Sequence, residues 1–240
     1  MGEAAVWHIC VLKFLTLTSN VASWLELIED TEEYEEMEVP APEYDEIKEI
    51  TNEVTLNKAP GSDNITPELI KIGGEDLWNQ IHKLIQSVWI IEEIPSEWTE
   101  GIICPFFKKG DRKLCLNCRG ITLLNVTYKV FSSLIQKKVS EMVEHNIGKY
   151  EVEFRPYRST TENTHIVRQR VYEKCFEYQI DLSNIFIDFE HTFNSVKRSA
   201  INKSLALFSV PSKLIRLFKV TLSNTKLKLK LIMTLWNKLK

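Results

Sequence analysis

Residues 184–198, NIFIDFEHTFNSVKR, put an apolar run, Ile185-Phe186-Ile187, directly before Asp188 and then return to an aromatic, Phe189. The run reads as a buried strand over 184–189. An unpaired carboxylate is expensive in such a place, so Asp188 should face something positive: a neighbouring Lys or Arg, or a cation.

Working outward, the segments alternate in character. After the strand, helices fit 199–208 and 212–223, separated by SVPS, and TKLKLKL then alternates at period two. That alternation predicts a half-buried strand with Lys226, Lys228 and Lys230 on its wet face. Upstream, Ser159 or Thr160 can cap a helix running to about Tyr178. A long amphipathic helix is predicted over 122–143, with Val126, Val130, Leu134, Val139 and Val143 on one face. GIICPFFKKGD reads as a short strand ending in a basic turn. A helix is expected over 75–92, broken by IPSEW. Before it, Thr66 caps and Pro67 starts a shorter helix that ends at Gly73-Gly74. VPAPEYDEIKEI can enter a helix near Tyr44.

The 240 residues suffice for one large domain or two small ones. Five cysteines in no regular spacing argue against a disulfide framework and for a reducing compartment. Cys115 and Cys118 form one C-x-x-C, but no second ligand pair exists to complete a zinc site. The apolar stretch 6–17 is short for a membrane span and lacks a basic flank, so the chain is expected to be soluble and intracellular. Charge is unevenly divided. Residues 25–53 hold 13 acids against Lys48, whereas residues 54–240 hold 28 Lys and Arg against 19 acids. The acidic block fits a solvated linker or a helix start. The basic remainder can attract a polyanion through phosphate contacts, although a merely soluble surface would carry the same charge.

Four pieces, taken in order, carry a resemblance: KAPGSDNITPELIK, IPSEWTEGIICPFFKKGDRKLCLNCRGITLLNVTYKVF, FRPYRSTTENTHIVRQ and FIDFEHTFNSVKR. Together they resemble the reverse transcriptase domain of non-LTR, LINE-type retrotransposons, over about residues 42–231. The resemblance implies an α+β chain with part of a right-hand polymerase. Residues 42–178 would form a fingers-like region and 179–240 the first part of a palm, with 1–41 a divergent, acidic N-terminus. It implies RNA-directed DNA polymerisation on an RNA template and a DNA primer with deoxynucleotides. Mg²⁺, a hard cation that takes oxygen ligands, would be held by Asp188. The carbonyl of Phe189 would reach the same ion. Phe193 would pack under the incoming sugar, and Arg119 and Arg155 would face its phosphates, a task suited to the planar guanidinium fork. Lys108, Lys109 and Arg158 would hold template or primer backbone.

The chain also departs from the family pattern. Glu153 stands for Gly, Asn194 for Asp, Cys118 for an aromatic, and Asp63-Asn64 for an Asp-Gly turn. No adjacent aspartates occur anywhere in the sequence. The expectation is a fragment without a thumb, truncated before the Asp-Asp hairpin and inactive by itself. The alternative from another class is a non-catalytic RNA-binding or interaction module.

Overall fold

The computed structural model describes residues 37–148, 150–152, 155, 157–181, 183, 185–187 and 196–230. They form an α+β chain in two compact units. The first gathers residues 35–138 and 211–240; the second includes 139–210.

In the first unit, α1 (Tyr44–Glu53) starts where Pro40 and Pro42 stop constraining the chain, and it buries Ile47, Ile50 and Thr51. Its acids do more than solvate: Glu46 pairs with Lys138 at 2.9 Å and Glu49 with Lys137 at 2.6 Å. The short α2 (Pro67–Ile72) has the expected start, Pro67 in its first turn and the Thr66 hydroxyl accepting from the Leu69 N–H at 3.4 Å. Asn64, where the resembled family has Gly, sits at φ +57, a left-handed conformation that Asn tolerates better than most residues. Then α3 (Gly74–Ile91) buries Ile81, Ile85, Val88 and Trp89 at helical spacing. It stops at Glu92, whose φ of +60 turns the chain out of the helix. The Glu92 carboxylate accepts from Lys213 Nζ at 2.8 Å and Arg216 Nε at 2.7 Å, which ties this corner to α8 (Ser212–Leu222).

A 3-10 turn, Ser96–Thr99, leads into β1 (Glu100–Phe107), which pairs antiparallel with β2 (Cys118–Leu123). The expected helix over 122–143 therefore starts later, as α4 (Val126–Val143). The reason is that Ile121 and Thr122 lie in register opposite Cys104 and Ile103 and use their backbone groups in the ladder. Asn125 marks the change of structure. Its side chain is 2 % exposed and donates to the Glu97 carbonyl at 3.1 Å, while its own carbonyl accepts from the Lys129 N–H. The loop at Gly61-Ser62 closes on the same residue, with Ser62 Oγ donating to Asn125 Oδ1 at 3.3 Å. All five apolar residues expected on one face of α4 are buried.

The third strand, β3 (Lys226–Leu229), pairs parallel to the other side of β1, so the sheet order is β2-β1-β3. The expected half-buried strand is thus an edge strand exposed on both faces, with Leu227 and Leu229 both open to solvent. An edge strand is held from one side only, and nothing among the described residues covers its leucines. The apolar run 185–187 differs more. These residues are not in a strand, and all three side chains are exposed. The run's apolar character alone does not make it a strand.

In the second unit, Ser159 caps α5 (Thr160–His165) in a reciprocal box with Glu162. A π-helical stretch, Ile166–Tyr172, continues into α6 (Glu173–Tyr178), and Gln179 ends it in the left-handed region. Buried Ile201 and Leu205 on α7 (Arg198–Leu207), with Val143, Ile147, Val152 and Val210, supply this unit's apolar interior.

Candidate nucleic-acid interface

The β1–β2 hairpin gathers Lys108, Lys109 and Arg119. Its connection, residues 108–117, is braced by its own polar groups. Asp111 Oδ1 accepts from the Lys113 N–H at 2.9 Å, and the Asp111 carbonyl accepts from Asn117 Nδ2 at 2.8 Å. Asn117 in turn accepts the Lys108 N–H at 2.8 Å. Gly110 is at φ +87, and a Cβ there would meet the Asn117 side chain at 2.8 Å, so this turn requires glycine. The Arg112 guanidinium lies over the Phe107 ring, 4.9 Å from its centroid.

This bracing uses backbone, Asn and Asp, and leaves the cations outward. Lys108, Lys109, Arg112, Lys113 and Arg119 are all exposed. None of the five has a carboxylate partner among the described residues. Arg112 and Lys113 belong to this group although the motif-based expectation passed over them. Their signal was present in the run FFKKGDRK, where four cations meet one acid.

The other expected side chains are placed differently. Arg155, in the second unit, is engaged by protein groups. Its Nε and Nη2 donate to Glu144 Oε1 at 3.1 and 2.5 Å, and its Nη1 donates to the carbonyls of Gly148 and Glu151 at 3.0 and 2.9 Å. That accounts for four of the five N–H groups of a guanidinium. Arg158 pairs with Glu162 one helical turn on, at 3.3 Å. Asp188, Phe189 and Phe193 lie outside the described residues.

The described residues bring no three His, Cys, Asp or Glu side chains together as a set that could hold a metal ion. One carboxylate near the hairpin, Glu100 at the start of β1, is held below its usual range by the hydrogen bond from Lys228, 2.6 Å away, and by the charge of that lysine. Among the described residues, no helix is long and apolar enough to cross a membrane.

No family model matches the chain. It is similar to "Transposon TX1 uncharacterized 149 kDa protein" of Xenopus laevis, 27% identical over 180 residues, which covers 73% of this chain and 13% of that protein. It is 25% identical over 171 residues to "Probable RNA-directed DNA polymerase from transposon BS" of Drosophila melanogaster, covering 70% of this chain and 19% of that one. A third relative, "Probable RNA-directed DNA polymerase from transposon X-element" of the same fly, is 24% identical over 166 residues, with coverages of 67% and 18%. The chain thus spans less than a fifth of the length of each curated relative. Its homologues are transposon proteins, two of them named as RNA-directed DNA polymerases, in keeping with a reverse transcriptase domain.

Proposed function

We propose that this chain supplies the template- and nucleotide-binding part of a non-LTR reverse transcriptase, with 42–178 in the role of fingers and the residues after them as the start of a palm. The observation that carries the reading is the braced hairpin with five exposed cations, none of which has an ion-pair partner among the described residues. A phosphodiester backbone or a triphosphate offers the matching charge. Arg119, on a strand, is the candidate for a fixed fork on phosphate oxygens. Lys108, Lys109 and Lys113, on the turn, are point charges that can follow a backbone, and Arg112, over the Phe107 ring, adds a second guanidinium. Arg155 takes a different part in this reading. Its fork is occupied by Glu144 and two carbonyls, so it positions its loop instead of gripping phosphate.

Asp188 would be a catalytic carboxylate and Mg²⁺ ligand, beside Phe189 and with Phe193 under the sugar. Bound Mg²⁺ would supply charge stabilisation at the transferring phosphoryl group. Phosphoryl transfer with two ions takes several carboxylates, and no adjacent aspartates occur in the sequence. The chain by itself therefore binds template and nucleotide without extending a primer, which is also what a non-catalytic RNA-binding module would do.

The test measures affinity for an RNA template with a DNA primer across a salt series. Incorporation of labelled deoxynucleotide is followed in parallel, in Mg²⁺ and then Mn²⁺, with Asp188→Ala alongside. Binding should weaken with salt, by about −0.7 to −0.9 in log–log slope per phosphate contacted. The variant K108A/K109A/R112A/K113A should flatten that slope. Binding that ignores salt would overturn the hairpin assignment. Extension that disappears in Asp188→Ala would overturn inactivity and show that further carboxylates complete the site.

A further inference from the structure

The two faces of the sheet are not equivalent. On one, the buried Gly101 has no side chain, and a Cβ there would meet Thr122 at 2.7 Å, Leu227 at 3.1 Å and Leu124 at 3.4 Å. On the other, the register aligns Phe106 with Arg119 and Cys104 with Ile121, and brings Lys226 and Lys228 alongside Glu100 and Ile102. That second face is open. Phe106 is 65 % exposed, and Ile121 is exposed beside it. A large aromatic in the middle strand of a sheet normally covers a core; this one covers nothing among the described residues. Its neighbour Phe107 points to the opposite face, where Arg112 already lies on its ring.

Charge decides what fits over Phe106. Residues 100–123 and 226–230 carry eight Lys and Arg against two acids, Glu100 and Asp111. Arg119 is directly across the ladder from Phe106, roughly 5 Å away between Cα atoms. Lys228, one strand over and about 13 Å along, is already paired with Glu100 at 2.6 Å. An apolar protein partner would have to desolvate these cations without compensation. A single-stranded polynucleotide compensates them with phosphates and offers a base to the ring. A duplex brings the phosphates but keeps its bases stacked on each other.

We infer that Phe106 is a stacking platform for one unpaired base, with Arg119 holding a phosphate beside it. The inference deepens the proposed template-binding role and rests on it: it names the strand face, the ligand state and a residue that the motif comparison did not single out. Stacking on an aromatic ring is tolerant of base identity, so the platform favours single strands over duplex without reading sequence.

The experiment uses the full chain and a short single-stranded RNA carrying 2-aminopurine, with a duplex of the same length as reference. Wild type should quench or shift the probe's fluorescence and should bind the single strand more tightly than the duplex. Phe106→Ala should weaken single-strand binding about tenfold, abolish the fluorescence change and leave the salt slope unchanged, because no phosphate contact is lost. Phe106→Trp, which keeps a stacking face, should restore both. Arg119→Ala should do the reverse, reducing the slope while the fluorescence change persists at saturation. RNA binding that is unaffected in Phe106→Ala overturns the platform and leaves the proposed function standing. Absence of salt-sensitive binding to any RNA overturns both.

Discussion

Arg155→Ala separates two kinds of arginine. The guanidinium side chain is 13 % exposed and makes four hydrogen bonds, two to carbonyls and two to one carboxylate oxygen. Removing it takes a charged donor from the carbonyls of Gly148 and Glu151, for which about 1.5–3 kcal/mol each is typical, although the Gly148 carbonyl keeps the Glu151 N–H at 3.1 Å. Glu144 is 44 % exposed, so water recovers most of its share, and that ion pair adds only about 0–1 kcal/mol. Some solvent also reaches the carbonyls once the side chain is gone. A net loss of about 2–4 kcal/mol follows, or about 5–10 °C in Tm for a chain of this size. The assay is a thermal melt by circular dichroism, with nucleotide affinity measured on the same samples below the melt. Glu144→Ala should cost less, and the double variant should cost less than the two added together, because both remove one contact. A Tm within about 1 °C of wild type, with nucleotide affinity reduced, would refute the loop-positioning role and return Arg155 to phosphate binding.

Other outcomes follow from the same kind of accounting. Gly61→Ala should destabilise by about 1–3 kcal/mol, because its Cβ would sit 2.6 Å from the Leu124 carbonyl carbon, a backbone atom that cannot swing away; a urea melt checks it. Glu92→Gln tests a pH-dependent contribution. Arg216 and then Lys213, both donating to the Glu92 carboxylate, hold it below its ordinary range. A depressed folded-state value stabilises above the unfolded value near 4.5 and is lost as pH falls through the folded one. The variant should therefore be less stable than wild type at pH 7, by about 1 kcal/mol, and the gap should close in acid; a gap that widens as pH falls would reverse the sign. Asn125→Ala should cost about 0.5–1.5 kcal/mol by removing its hydrogen bond to the Glu97 carbonyl, read from the same urea series.

What the sequence made legible was local. Thr66-Pro67 and Ser159 with Glu162 start their helices through bonds three residues long, and Val126 to Val143 lie on one face because 3.6-residue periodicity needs no partner to be visible. Ile121-Thr122 misled because a β-branched pair just ahead of a helix suits either element; the decision came from β1, twenty residues upstream. The parallel pairing of β3 with β1 has no local signal at all, and period two in KLKLKL says only that the faces alternate, not that one is covered. The run 185–187 shows the same limit: three apolar residues in a row suggest burial, yet all three side chains are exposed. In the site, the cations could be counted from the sequence. The engagement of Arg155 by Glu144 and the exposure of Phe106 needed the fold.

The first unit is assembled from two separated stretches of chain, and this governs when it can exist during synthesis. Lys228 reaches Glu100 across 128 positions, and the Tyr128 hydroxyl reaches the Thr221 carbonyl across 93. Leu214, Leu217 and Phe218, all buried, come from the later stretch. A ribosome that has just delivered residue 210 therefore holds a first unit with β1 open along one edge and without α8, while the intervening 139–210 can already condense on its own local contacts. Closing so long a loop adds entropy only logarithmically but slows the search for native pairing. The newborn protein thus passes through an interval in which a half-paired, largely apolar strand waits for its last neighbour, and chaperone demand and aggregation during expression should peak in that interval.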